Sequence, residues 1–116
     1  MPTRSSESRA QRITDEVLTW PGVAAAPHRF GGVEFQLGRR ELGHLHGDAV
    51  ADVPFPRHIR DELIADGRAQ VHHWLPDSGW VTLRMAGDED AARAIALLRM
   101  SYDRAVNAAA RYRTVP

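Results

Sequence analysis

The chain has 116 residues, enough for one domain around one hydrophobic core, and its 43% hydrophobic and 26% charged residues are typical of a globular protein. Lysine plus arginine and aspartate plus glutamate number 15 each, so the net charge of +0 disfavours a nucleic-acid partner or an anionic membrane surface. The sequence contains no cysteine and no lysine, which excludes disulfides, thiolate nucleophiles and Schiff-base catalysis by lysine.

The start of the sequence does not have the pattern of a signal peptide, and no segment has that of a membrane span. Residues 1–12 contain no apolar stretch of signal-peptide length, and no segment approaches the roughly 20 apolar residues that cross a membrane. We therefore expect a cytoplasmic protein without membrane contact. Residues 1–8 are small, polar and charged, and we expect them to form a flexible N-terminus.

The first half of the chain predicts one helix and three strands. Residues 9–20 carry apolar side chains at the i, i+4, i+7 spacing of one helical face. Residues 33–37 alternate apolar and polar side chains, which is typical of a half-buried strand. Glycine-containing turns lead into two further predicted strands, at residues 41–46 and near residues 50–53.

The second half predicts a helix, a hairpin and a long helix. Pro56 suits the first turn of the helix, and Gly67 is placed to end it. Residues 69–74 and 80–85 form the two strands of the predicted hairpin. Asp88 is a good N-cap for the last helix.

This order of elements predicts a single α+β domain over residues 9–113. An antiparallel sheet of four or five strands, with helices packed on one face, accommodates runs of strands with helices between them. One core is expected to contain the following apolar residues of helices and strands: Val33, Phe35, Leu63, Val71, Leu83, Ile95, Leu98 and Tyr102.

Several short motifs resemble those of the small bacterial "luciferase domain" family. They are Trp20-Pro21-Gly22-Val23, Phe30-Gly31-Gly32-Val33-Glu34-Phe35, Glu41-Leu42-Gly43-His44-Leu45-His46, Gly67-Arg68-Ala69, His73-Trp74-Leu75-Pro76-Asp77-Ser78-Gly79-Trp80-Val81 and Ser101-Tyr102. The resemblance covers about residues 20–104 and is most specific in its Gly-His-x-His and Ser-Gly-Trp elements. It agrees with the predicted fold class, but it carries over no catalytic residue and no light-emitting chemistry.

A weaker similarity connects the chain with the MmcQ/YjbR family. It rests on the order His73-Trp74, Trp80-Val81 and Ser101-Tyr102. The similarity implies a frataxin-like α+β sandwich and suggests DNA binding. A nucleic-acid-binding regulator is therefore a further alternative function, and the net charge of +0 disfavours it.

The predicted hairpin has one polar-aromatic face and one apolar face. Because side chains alternate along a strand, the polar-aromatic face carries Gln70, His72, Trp74, Trp80, Thr82 and Arg84. The opposite face carries Val71, His73, Val81, Leu83 and Met85 and is the expected core face. In this register Trp74 opposes Trp80, and His73 is a core or near-core histidine.

The direction of His44 and His46 depends on the register of their strand. The two side chains are two residues apart and share a face. A two-residue turn at residues 38–39 places them on the core side, whereas a three-residue turn or a bulge at Gly43 turns them to the other face. We favour the second alternative, because two buried neighbouring histidines need several hydrogen-bond partners.

Two kinds of function follow from these residues. The leading hypothesis is a non-catalytic binding module whose open sheet face takes a small-molecule ligand or a protein partner. Its predicted ligand-binding residues are His44, His46, His72, Trp74, Trp80 and Arg84. The alternative is a small enzyme with acid–base candidates His44, His46 and His72.

A divalent metal is a further alternative at the same histidines. Asp48 or Glu34 is then the candidate carboxylate ligand, and Glu41 or Asp48 could orient an imidazole through its second nitrogen. No HExxH or comparable ligand spacing is present, and two histidines at i, i+2 are a weak signal. We therefore expect no resident metal and no cofactor.

Overall fold

The computed structural model describes residues 8–28 and 31–114. Three helices, α1 to α3, span Arg9–Val17, Arg57–Ala65 and Glu89–Thr114. Six strands, β1 to β6, span Val23–Pro27, Val33–Leu37, Arg40–His46, Val50–Pro54, Gln70–Val71 and Trp80–Arg84. None of the helices in these residues combines the length and the hydropathy of a membrane span. The expected flexible N-terminus lies outside the described residues, apart from Ser8, whose hydroxyl accepts a hydrogen bond from the backbone N–H of Gln11.

The strands form one antiparallel sheet in the order β1-β2-β3-β4-β6-β5, which confirms the predicted α+β class. The sheet has one strand more than the upper prediction. The strand that sequence patterning missed is β1, whose sequence Val-Ala-Ala-Ala-Pro has no apolar alternation. It lies at an edge of the sheet, where a proline in a strand is tolerated.

The hairpin of β5 and β6 differs from its prediction in length and register. Strand β5 ends at Val71, and residues 72–79 form a loop, which we call the β5–β6 loop. Gln70 pairs with Thr82 instead of Arg84, so the predicted register was wrong by two residues. His72 and His73 therefore lie in this eight-residue loop and not in a strand. The alternation of side chains along a strand does not decide which way they point.

The helices and one face of the sheet enclose a single apolar core. Helices α1 and α3 pack on each other, and α3 also packs on β3 and β4. The buried members of the predicted core are Phe35, Leu63, Leu83, Leu98 and Tyr102, while Val33 and Ile95 lie partly buried at its edge. Val71 was wrongly predicted: it is 44% exposed, because β5 is a two-residue edge strand. We call the face of the sheet opposite the helices the open face.

A β-bulge in β3 decides which side chains reach the open face. Phe35 pairs with Gly43 and Gln36 with Glu41, so Leu42 is an extra residue in β3. Both Leu42 and Leu45 are therefore buried in the core, and the histidines on either side of Leu45 turn to the open face. This outcome is the alternative that the sequence favoured, reached through a two-residue turn followed by a bulge.

Gly43 is required where the bulged strand meets the long helix. A Cβ atom at Gly43 would lie 2.7 Å from the Cδ2 atom of Leu98 and 2.9 Å from the backbone oxygen of Asp52. The Gly43 φ angle of +153° also lies where other residues are rare. The backbone of β3 thus packs closely against α3 at the residue that precedes His44.

Truncation of Leu98 tests the helix-on-sheet packing. Leu98 is fully buried, and Leu98→Ala should lower the free energy of unfolding by about 2–5 kcal/mol through lost burial and a residual cavity. Chemical denaturation measures the change. Leu18→Ala, at a side chain that is 45% exposed, is the control and should change the stability by no more than about 0.5 kcal/mol. Equal effects of the two substitutions would contradict the packing.

Ionised Asp90 should stabilise the domain near neutral pH, and this contribution should be lost at low pH. Its Oδ2 atom accepts hydrogen bonds from the backbone N–H groups of Ala86 and Gly87, at 2.7 and 3.1 Å, and these bonds lower the pKa of Asp90. A carboxyl whose pKa is lower in the folded state stabilises the fold above its unfolded pKa of about 3.9 and loses that contribution as the pH falls through the folded pKa. Asp90→Asn should therefore lower the melting temperature at pH 7 more than at pH 3.

Thermal unfolding of both proteins at the two pH values checks this expectation. Glu62→Gln, at an exposed position of α2, is the control and should leave the melting temperature nearly unchanged at pH 7. If the difference in melting temperature between the wild type and Asp90→Asn grew as the pH fell, the assigned role of the ionised Asp90 would be contradicted.

Candidate functional site

A row of polar residues crosses the open face from strand to strand. Residues that are directly opposite in neighbouring strands lie side by side on one face of a sheet. The consecutive cross-strand pairs are Glu34–His44, His44–Asp52, Asp52–Thr82 and Thr82–Gln70. Asp52 holds the middle of this row, on β4, whose alternate residues Ala51 and Val53 belong to the core.

The carboxylate of Asp52 is fully buried and is surrounded by imidazoles. Its Oδ1 atom accepts a hydrogen bond of 2.7 Å from the hydroxyl of Thr82. Its Oδ2 atom faces the Nε2 atoms of four histidines. The Nε2–Oδ2 distances are 3.1 Å for His46, 3.2 Å for His44, 3.3 Å for His73 and 3.6 Å for His72. We call Asp52 and these four histidines the histidine cluster.

His44 is held from both sides of its ring. Its Nδ1 atom donates to the carboxylate of Glu41 at 2.5 Å, while its Nε2 atom faces Asp52. The ring of His28 stacks on it, with centroids 4.0 Å apart, and the indole of Trp80 lies 5.2 Å away. Burial alone would lower the pKa of His44, but the hydrogen bonds to Asp52 and Glu41 outweigh it and raise the pKa to about 9.

His72 is held in one tautomer by the backbone of its own loop. Its Nδ1 atom accepts hydrogen bonds from the backbone N–H groups of Trp74, at 3.2 Å, and Leu75, at 3.0 Å. A nitrogen that accepts two such bonds carries no proton, so in the neutral ring the hydrogen lies on Nε2, directed toward Asp52. Burial, together with the neighbouring imidazoles of His73, His44 and His46, keeps the pKa of His72 below its ordinary value despite the nearby charge of Asp52.

His46 and His73 form the accessible side of the cluster. Their side chains are 23% and 27% exposed, whereas that of Asp52 is 0% exposed. Burial and the neighbouring His44 lower the pKa of His46. Burial alone would raise the pKa of Asp52, but hydrogen bonds from His44, Thr82 and His73 lower it well below the usual range. The cluster therefore contains a permanent negative charge next to two imidazoles that solvent can reach.

The structure brings together most of the residues predicted for the site. His44, His46 and His72 all face Asp52, and Trp80 lies against two of their rings. Trp74 is 64% exposed and lies beside His73, with ring centroids 4.7 Å apart. Arg84 lies beyond Thr82 on the same face of β6 and is exposed.

One predicted role is corrected, and two candidate carboxylate ligands have other partners. His73 is not a core histidine, because the β5–β6 loop turns it toward Asp52. The carboxylate of Asp48 binds elsewhere: its Oδ1 atom accepts a hydrogen bond of 2.8 Å from the backbone N–H of Ala10 at the start of α1. Glu34 lies in the polar row, but its carboxylate accepts a hydrogen bond from Gln36. The suggestion that Glu41 orients an imidazole agrees with its contact to His44.

Sequence reasoning missed Asp52 and His28. The sequence pattern could have indicated Asp52, because it is a charged residue between Ala51 and Val53 in a predicted strand whose other residues are apolar. His28 follows the unpredicted strand β1 and had no such signal. It reaches the cluster only because β1 pairs with β2 at the edge of the sheet.

The fold and the site define a small α+β domain with a histidine-rich open sheet face. The family model described as "Luciferase domain" matches residues 39–101, more than half of the chain, and the chain belongs to this family. All five residues of the histidine cluster lie within the match. No curated protein and no solved structure matches the chain. The comparisons do not show the more distant similarity to the MmcQ/YjbR family.

The tautomer of His72 provides a direct test of the site geometry. Long-range ¹H–¹⁵N correlation spectra of the metal-free protein at pH 7 should show a neutral His72 ring with its proton on Nε2. Exposed His58 on α2 is the reference for an ordinary mixture of tautomers. A proton on Nδ1 of His72 would be incompatible with the two backbone hydrogen bonds that the ring accepts.

Proposed function

We propose that this domain is a small enzyme that binds a small polar or aromatic molecule on its open face and transfers protons through the histidine cluster. One observation supports this proposal above all others: four imidazole nitrogens lie within 3.6 Å of a single oxygen of the buried Asp52. A buried charge with several titratable neighbours is costly for the fold, and such groups concentrate at functional sites.

The surroundings of the cluster suit a small organic molecule. The indole of Trp80 borders His44 and His72, and the exposed side chains of Trp74 and Leu75 stand on the β5–β6 loop beside His73. Aromatic walls next to a few polar groups are the usual composition of a small-molecule site. We assign the molecule to the surface of the open face where these aromatic side chains and the two accessible imidazoles lie.

Each member of the cluster has a distinct place in this proposal. His46 and His73 are partly exposed and are the groups that would exchange protons with the bound molecule. Asp52 orients both rings through its Oδ2 atom, and His44 and His72 hold the carboxylate from the buried side. A binding surface alone needs hydrogen-bond donors and acceptors, but it has no need for four imidazoles on one carboxylate. For this reason we favour an enzyme over a non-catalytic binding module.

Chemical-shift mapping with small probes tests the site. The ¹⁵N-labelled protein is kept metal-free with a chelator and titrated with benzoate, 4-hydroxybenzoate, nicotinate and indole. The largest shifts should fall on the backbone amides of residues 44–46 and 72–75 and on the indole N–H of Trp80. Trp80→Ala should weaken the best probe by about tenfold, or about 1.4 kcal/mol, through loss of one aromatic wall.

The molecule offers a matched control surface on its other side. A largely apolar groove lined by Leu37, Tyr102 and Val106 lies between α3 and the turn that joins β2 to β3. Val106→Ala, at a residue that is 39% exposed, should leave the affinity of the best probe unchanged. Probe shifts confined to this groove, or an unchanged affinity in Trp80→Ala, would contradict the proposed site.

A further inference from the structure

Three side-chain atoms on the open face have the spacing of ligands that surround one metal ion. The Nε2 atoms of His44 and His46 lie 3.2 and 3.1 Å from Oδ2 of Asp52, and each of the three residues has a potential ligand atom within 4.8 Å of those of the other two. Nitrogen and oxygen ligands bind a transition ion at about 2.0–2.2 Å, which places neighbouring ligands about 2.8–3.6 Å apart for angles between 90° and the tetrahedral angle. The two distances from Asp52 fall in this range.

Hydrogen bonding alone accounts poorly for the crowding around Asp52. A carboxylate oxygen offers two lone pairs, and four ring nitrogens face Oδ2. Four N–H groups cannot all donate to that oxygen. A cation between the rings and the carboxylate relieves this crowding, because it uses the lone pairs of His44 and His46 in place of their protons. Oδ2 is then shared by the ion and the N–H of His73, while His72, at 3.6 Å, lies beyond hydrogen-bond distance.

In two of the candidate ligands, the side-chain atom that would not bind the metal already has a hydrogen-bond partner. Nδ1 of His44 donates a hydrogen bond to the carboxylate of Glu41, and Oδ1 of Asp52 accepts a hydrogen bond from the hydroxyl of Thr82. Metal-binding histidines usually donate their second N–H to a carboxylate or carbonyl, and metal-binding carboxylates are themselves hydrogen-bonded. These outer contacts leave Nε2 of His44 and Oδ2 of Asp52 directed at the same point.

His72 is excluded from the ligand set by its tautomer. Its Nδ1 atom accepts two backbone N–H groups, so its Nε2 atom carries a hydrogen and has no lone pair for a metal. His73 lies 3.3 Å from Asp52 on the side of the β5–β6 loop, in a different group of potential ligands from His44 and His46. When the ion is bound, the Nε2 lone pair of His46 is used by the metal, and His73 remains as the imidazole that exchanges protons with the bound molecule.

We propose that His44, His46 and Asp52 bind one divalent transition-metal ion on the open face. The inference rests on the proposed function, because it assigns an ion to that same site. Two imidazoles and one carboxylate suit zinc, iron, cobalt or nickel better than calcium or magnesium, which prefer oxygen ligands. With three protein ligands, the ion keeps open positions toward the accessible imidazole of His73. The sequence predicted no metal because its ligands come from two strands and form no linear motif.

Cobalt binding to the metal-free protein tests the inference. The protein is prepared without a histidine tag and titrated with Co²⁺, followed by visible absorption and by calorimetry. One equivalent should bind, with the absorption bands of cobalt bound to nitrogen and oxygen ligands. Glu41→Gln should weaken binding by about 10–100-fold, because it removes an outer contact, and His46→Gln should weaken it further.

Two further variants define the ligand set. His58→Gln removes an exposed histidine of α2 outside the cluster and should bind cobalt like the wild type. His73→Gln should retain one-equivalent binding, because His73 is not assigned as a ligand. Circular dichroism and the melting temperature of each metal-free variant establish that it is folded before the titration.

Four results would overturn the inference. They are the absence of Co²⁺ and Zn²⁺ binding to the wild type, binding of two equivalents, wild-type affinity in a folded His46→Gln, and equal losses in His73→Gln and His46→Gln. Failure of the metal site differs from failure of the proposed function, since the probe mapping is done with chelator present. Probe binding without cobalt binding would contradict only the proposed metal site. Cobalt binding without probe binding would contradict only the proposed small-molecule site.

Discussion

A carboxylate buried in the middle of a sheet must be compensated, and much of the open face depends on how this is done for Asp52. An ionised group without partners in that position would be strongly destabilising, because burial removes its hydration. Thr82 supplies a hydroxyl to one oxygen, and the four histidines gather around the other. The carboxylate thus orders side chains from β3 and from the β5–β6 loop, which are far apart in the sequence.

The β5–β6 loop is tied to this centre in two ways. His72 and His73 direct their Nε2 atoms at Asp52, and Nδ1 of His72 accepts two backbone N–H groups from the following residues. The hydroxyl of Ser78 then donates to the carbonyl of Leu75, within the same loop. The ring of His72 therefore contacts both the backbone of the loop and the carboxylate of Asp52. The exposed Trp74 lies on the same loop.

The sequence predicted the fold well wherever a pattern was local. The apolar stripes of the helices and the alternation in β2 needed only neighbouring residues, and they gave the correct class and order for all elements except β1. The register of β5 and β6 depended on the length of an irregular loop, so the assignments of Val71 and His73 were wrong. Asp52 could be suspected from its apolar neighbours, but its four partners follow from pairings between strands that no local pattern reveals.

The two faces of β3 show how the core supports a site that is itself costly for stability. Gly43 lies against Leu98, so the longest helix packs directly behind the strand that carries His44 and His46. A larger residue at Gly43 would push β3 away from α3 and would move both imidazoles relative to Asp52. Because binding and catalytic groups must be held to within a fraction of an ångström, close packing behind the strand is as much part of the site as the imidazoles in front of it. The bulge at Leu42 completes this division, since it adds a leucine to the core and directs the two histidines outward.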